Sequence, residues 1–145
     1  MIAPTGMLRT LGPPERPGYA GRMLDHLGIN VSDYERSRDF YVQALAPIGF
    51  SLLMEPMAGT GGFGRDGKPW FWITDQRKPV TENLHLAFTA EDRATVDAFH
   101  AAALGAGGSD NGAPGIREMY HPTYYGAYVL DPDANNVELV CHKPE

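Results

Sequence analysis

Asp25-His26-Leu27-Gly28-Ile29-Asn30-Val31-Ser32-Asp33 and, 59 positions further on, Leu84-His85-Leu86-Ala87-Phe88 are the stretches whose comparison decides the fold. In the first, Leu27, Ile29 and Val31 point one way while His26, Gly28 and Asn30 point the other. That alternation predicts a strand with one apolar face and one small, polar face bearing a histidine. The second stretch repeats it: Leu84, Leu86 and Phe88 oppose His85, Ala87 and Thr89.

The elements around each strand repeat as well. After the first, Ser32 and Glu35 have the spacing of a capping box and predict a helix over residues 33–46, with Phe40, Tyr41, Ala44, Leu45 and Ile48 on its inner stripe. Pro47 and Gly49 end it, and strands are expected at 50–55, 59–64 and 69–74, the last two joined by a turn at Asp66-Gly67. After the second, a helix is expected over 92–104 with Val96, Phe99 and Ala103 inward, then strands at 116–120, 124–130 and 136–141. Asp131-Pro132-Asp133 turns the chain between the last two, with proline fixing the second turn position. The offset of 59 also superposes Asp33 on Asp92, Phe40 on Phe99, Ala44 on Ala103, Leu45 on Leu104 and Gly49 on Gly108.

The fold predicted is therefore α+β, two βαβββ modules in tandem at about 23–75 and 82–142, forming a curved mixed-sheet cleft within one domain over 23–145. Residues 1–22, with Gly12-Pro13-Pro14 and Pro17-Gly18, read as an irregular extension, and Met23 is a second candidate start. A duplicated unit relates its copies by a pseudo-twofold axis, so His26 and His85 are expected to face one shared cleft.

The 145 residues suffice for one buried core, and 43% hydrophobic with 21% charged residues is ordinary globular composition. A net charge of −6, with 12 basic residues scattered along the chain, argues against a nucleic-acid partner, which needs clustered Lys and Arg. There is neither an apolar run of membrane-spanning length nor a signal-peptide pattern, and the single Cys141 excludes an internal disulfide. A cytoplasmic protein is expected.

A lone strand histidine is most often a hydrogen-bonded core or rim residue, but two at equivalent places in a repeat become candidate metal ligands. Glu138 supplies a third: Val137, Leu139 and Cys141 form the apolar face of the last strand and leave Glu138 on the other. A mid-strand carboxylate is costly to bury without a partner, either a metal or a cation such as Arg117. Two histidines and a carboxylate leave coordination positions open for a reactant. His142 shares Glu138's strand face, but four residues along a strand separate them by about 13 Å, too far to bind one ion together. His100, on the second helix, reads as surface or packing. His121, before Pro122 and near Tyr120, Tyr124 and Tyr125, is a candidate acid or base together with Tyr125. Trp70, Trp72 and Tyr128 are candidates for lining a substrate pocket. Gly59-Thr60-Gly61-Gly62 matches no phosphate loop, since neither the lysine nor the helix start follows.

Between about residues 24 and 141 the chain resembles the vicinal oxygen chelate superfamily, which comprises glyoxalase I, extradiol dioxygenases, methylmalonyl-CoA epimerase and the fosfomycin- and bleomycin-resistance proteins. The resemblance rests on the two opening stretches and on Tyr128-Val129-Leu130-Asp131-Pro132-Asp133-Ala134-Asn135-Asn136-Val137-Glu138-Leu139. It implies His26, His85 and Glu138 as ligands of one divalent ion (Fe2+, Zn2+, Mn2+ or Ni2+) that chelates vicinal oxygens of a small substrate. It also implies a homodimer, since family members commonly dimerise and some exchange modules between subunits. Glyoxalase I carries a further polar ligand on the fourth strand, where this chain reads Pro69-Trp70-Phe71-Trp72-Ile73-Thr74. The resemblance therefore implies a metal-dependent lyase, isomerase or ring-cleaving dioxygenase, with a small-molecule-binding protein of the bleomycin-sequestering kind as the alternative.

Overall fold

A computed structural model describes residues 23–145. The first module runs β1 (Leu27–Asn30), α1 (Tyr34–Ala44), a short 3-10 turn (Ala46–Ile48), β2 (Ser51–Met57), β3 (Thr60–Arg65) and β4 (Lys68–Thr74). The second runs β5 (His85–Thr89), α2 (Arg93–Gly105), β6 (Ser109–Ile116), β7 (Tyr125–Leu130) and β8 (Asn136–Cys141). Each module closes its own four-stranded mixed sheet, in the orders β1-β4-β3-β2 and β5-β8-β7-β6. In both, the first strand lies parallel to the last and the other pairings are antiparallel. Among the described residues no helix is long and apolar enough to cross a membrane. The extension at 1–22 lies outside the described residues.

The duplication is visible in the caps. Asp33 and Asp92, superposed by the repeat, are the N-caps of α1 and α2, accepting from the backbone N–H of Arg36 and Thr95 respectively. The capping box expected at Ser32 does not form. Ser32 instead reaches Asp133 of the second module, through its backbone N–H (2.9 Å) and its hydroxyl. Of the strand expected at 116–120 only Ile116 is in a strand, β6, which lies upstream over Ser109–Ile116 and whose glycines and Pro114 hide a strand from propensity. It is an edge strand, and its register against β7 shifts twice, which is how a sheet accommodates such residues.

The modules join through their apolar sides. α1 packs on α2, and Tyr41, Phe71 and Phe88 form a chain of edge-to-face rings at 4.7 and 5.8 Å that crosses from the first module into the second. A buried polar tie accompanies it. The Tyr41 hydroxyl donates to Asp131 Oδ2 at 2.6 Å, while Asp131 Oδ1 accepts the backbone N–H groups of Asp133 and Asn135. Asn135 in turn accepts from Leu84 N and donates to Thr81 O. The Asp-Pro-Asp turn thus fixes the second module's turn to the first module's helix and to the segment between modules.

Candidate functional site

Two separate polar centres result. On the second sheet, β8 runs in register with β5 and β7 so that Glu138 stands opposite Ala87 on one side and Tyr128 on the other. Glu138 is 1% exposed. His85 Nε2 lies 2.8 Å from its Oε2, and the Tyr124 hydroxyl donates to its Oε1. Arg117, weighed from sequence as Glu138's cation, donates instead to Ala113 O (2.7 Å) and stacks over the Tyr128 ring. The Tyr124 hydroxyl is held above its ordinary ionisation range, by burial first and by its bond to Glu138 second. Burial and the charge of Glu138 push Tyr128 in the same direction.

The first sheet carries His26, just before β1. Its Nδ1 lies 2.8 Å from Asp25 Oδ1, which also accepts from Lys68 Nζ at 2.8 Å. Those two contacts, Lys68 first, hold the Asp25 carboxyl below its usual range. An imidazole anchored to a carboxylate through Nδ1 presents Nε2 as an acceptor, the tautomer a metal ligand needs. His26 lines a cavity of about 400 Å³ with Gly28, Asn30, Trp72 and Arg77 among others.

The repeat's registers make the two centres comparable. In β1 and β4, Gly28 pairs with Trp72; in β5 and β8, the equivalent Ala87 pairs with Glu138. Trp72 therefore occupies the place in the first module that Glu138 occupies in the second. The fourth strand lacks a ligand because an indole fills the ligand position.

Among the described residues no three His, Cys, Asp or Glu side chains come together as a metal-holding group. His85 and Glu138 meet, and His26 does not join them. The strands pair within each module, and the modules join through helices and core rings. His85 and Glu138 supply one nitrogen and one carboxylate donor, suited to Zn2+, Fe2+, Mn2+ or Ni2+ but one ligand short of an open three-residue site. His26, its ring anchored to the Asp25 carboxylate, stands apart from that pair on the first sheet.

The other candidates separate in the same way. Tyr125 points to the opposite face from Glu138, where its hydroxyl donates to Asp97 of α2 at 2.7 Å. Strand alternation explains this: Tyr125 shares a face with the buried Ala127 and Val129, whereas Tyr124 and Tyr128 share one with Glu138. That signal was legible in the sequence and selects Tyr124, which sequence reasoning passed over. His121 is exposed in the turn before β7, 2.9 Å from Thr123 Oγ1. Trp70 lies in another cavity, at the seam between modules with Phe50 and Phe88, beneath the Lys68 ammonium. His100 is paired with Asp110 at 2.9 Å, and the His142 ring abuts Tyr124 edge-on.

Residues 23–139 match the model of the Glyoxalase/Bleomycin resistance protein/Dioxygenase superfamily. The chain belongs to that superfamily. A glyoxalase/bleomycin resistance protein from Albidiferax ferrireducens is similar at 29% identity and a TM-score of 0.73, over 83% of this chain and 99% of that one. A glyoxalase/bleomycin resistance protein/dioxygenase family enzyme from Burkholderia phytofirmans shares the fold at 21% identity and a TM-score of 0.61, over 82% and 98% of the two chains. So does a lactoylglutathione lyase from Agrobacterium tumefaciens, at 16% identity and 0.59, over 83% and 93%. No curated protein matches the chain.

Proposed function

We propose that the protein is a divalent-metal enzyme acting on a small oxygenated substrate, as a lyase, isomerase or ring-cleaving dioxygenase. Its site, in this reading, is completed by a second copy of the chain. The observation that carries the reading is the buried Glu138 carboxylate with the solvent-exposed His85 imidazole at 2.8 Å. His85 and Glu138 of one subunit, with His26 of the partner, would hold the ion. Bound there, the ion would supply Lewis-acid polarisation of substrate oxygens, or an open position for dioxygen if it is iron.

The protein's own groups have defined tasks. Tyr124 donates to Glu138 and fixes the carboxylate's orientation. With its ionisation pushed upward, it stays a neutral donor across the physiological range. Asp25, held by Lys68, fixes the His26 ring. Tyr128 and Arg117 wall the Glu138 side.

Loading the chelator-treated protein with Zn2+, Ni2+ or Fe2+ tests the reading. Retained metal that is lost in His85→Ala and Glu138→Ala, with either oxygen uptake on catechols (Fe2+) or hemithioacetal isomerisation (Ni2+, Zn2+), supports it. No retained metal, with ligand binding indifferent to those substitutions, would favour a sequestering protein instead.

A further inference from the structure

The cavity beside His26 carries features that metal ligation does not use. A Cβ built on Gly62 would lie 2.8–2.9 Å from Cη2, Cζ2 and Cζ3 of Trp72. Three ring carbons at nearly equal distance mean that the indole lies flat on the glycine backbone, a position open only because that residue has no side chain. Gly28, paired with Trp72 across β1 and β4, keeps the other flank low, its nearest contact being Trp72 Cβ at 3.8 Å. Trp72, with one ring face against Gly62, also lines the cavity. Arg77 lines the same cavity, is exposed, and pairs with no carboxylate among the described residues. A flat aromatic floor and an uncommitted guanidinium, in about 400 Å³, are complementary to one chemical class.

We propose that this cavity binds planar aromatic carboxylates, the ring stacked on Trp72 and the carboxylate paired with Arg77. The inference rests on the proposed function only in treating the ligand as a substrate, and it narrows the small oxygenated substrate to an aromatic acid. Stacking holds the ring parallel to the indole, and the charge at Arg77 sets which edge turns toward His26. The register gives the geometry a reason: where the second module spends this position on the Glu138 carboxylate, the first spends it on a binding surface.

The test uses the full chain, stripped of metal with chelator, and three probes: 2-naphthoate, 2-naphthamide and decalin-2-carboxylate. Binding is followed by the indole N–H resonances of the nitrogen-15-labelled protein, with Trp72 assigned by its loss in Trp72→Phe. Naphthoate is expected to shift the Trp72 resonance and to bind at least about tenfold tighter than either the uncharged or the non-aromatic probe. Arg77→Gln, an exposed change that leaves the fold untouched, should weaken naphthoate about tenfold and leave naphthamide unchanged. Gly62→Ala, which pushes the indole off its floor, should weaken both aromatic probes. Naphthoate binding that leaves Trp72 unshifted, equal affinity for decalin-2-carboxylate, or indifference to Arg77→Gln would each overturn the proposal. Metal content and the effect of Glu138→Ala are measured separately. A protein that takes up no metal yet stacks naphthoate on Trp72 would refute the metal reading alone.

Discussion

Tyr41→Phe cuts the tie between the two modules at one atom. The Tyr41 hydroxyl donates to Asp131 Oδ2 at 2.6 Å, with the two residues 1% and 5% exposed. Asp131 Oδ1 keeps two backbone donors, at 2.9 and 2.8 Å, but Oδ2 keeps only Asn135 Nδ2 at 3.4 Å. A hydrogen bond to a charged group contributes about 1.5–3 kcal/mol, and a desolvated oxygen losing its main donor belongs in the upper half of that range. The phenyl ring keeps its contacts with Phe40 and Phe71 at 5.0 and 4.7 Å, so almost no cavity opens. The substitution should therefore lower stability by about 2–3 kcal/mol, which at a urea slope of about 1–3 kcal/mol/M moves the midpoint down by about 0.7–3 M. Urea denaturation followed by far-ultraviolet circular dichroism measures it. The pH dependence gives a second reading of the same bond. Burial and the Asp131 charge raise the Tyr41 ionisation well above its ordinary value, so the folded state favours the neutral hydroxyl. Its contribution is complete below about pH 10 and is lost as pH rises from there toward the raised value, so the gap between the parent protein and Tyr41→Phe should narrow in alkali. A midpoint shift below about 0.3 M, or a gap that widens above pH 10, would refute the reasoning.

Other substitutions test the site's assignment. Tyr124→Phe, which strips a donor from the buried Glu138, should cost about 1.5–3 kcal/mol, whereas Tyr125→Phe, which breaks an exposed bond to Asp97, should cost under about 0.5 kcal/mol. Urea melts of the two compare the strand faces directly, and equal costs would contradict the assignment. Asp25→Asn leaves the His26 ring without its carboxylate and should weaken metal affinity about 10–100-fold with little change in melting temperature, as read by competitive chelator titration. Phe99→Ala empties a fully buried place on α2 and should cost about 3–5 kcal/mol in the same melts.

The duplicated architecture was legible because both signals that carry it are local: alternation around His26 and His85, and the aspartates 59 residues apart that cap both helices. Other features depended on longer-range facts. Ser109–Ile116 is a strand by virtue of its pairing with β7, against the preference of its glycines and proline. The equivalence of Trp72 with Glu138 needs the pairing of β4 with β1 and of β8 with β5, which no spacing in the sequence states. The pseudo-twofold relation expected from the repeat makes the two histidines equivalent positions. It did not say whether equivalent sheets meet in one chain, because that depends on which faces of the modules pack together.

The claim that the site is shared is tested most directly by metal content in a defined heterodimer. A His26→Ala chain and a Glu138→Ala chain, differently tagged, are coexpressed and purified through both tags. In a symmetric shared-site dimer, one site loses both altered residues and the other keeps His26, His85 and Glu138 intact. The account predicts that each variant alone holds almost no zinc, while the heterodimer holds one ion, about half the parent dimer's content. A heterodimer as empty as its parts, or a His26→Ala protein that retains full metal, would contradict it.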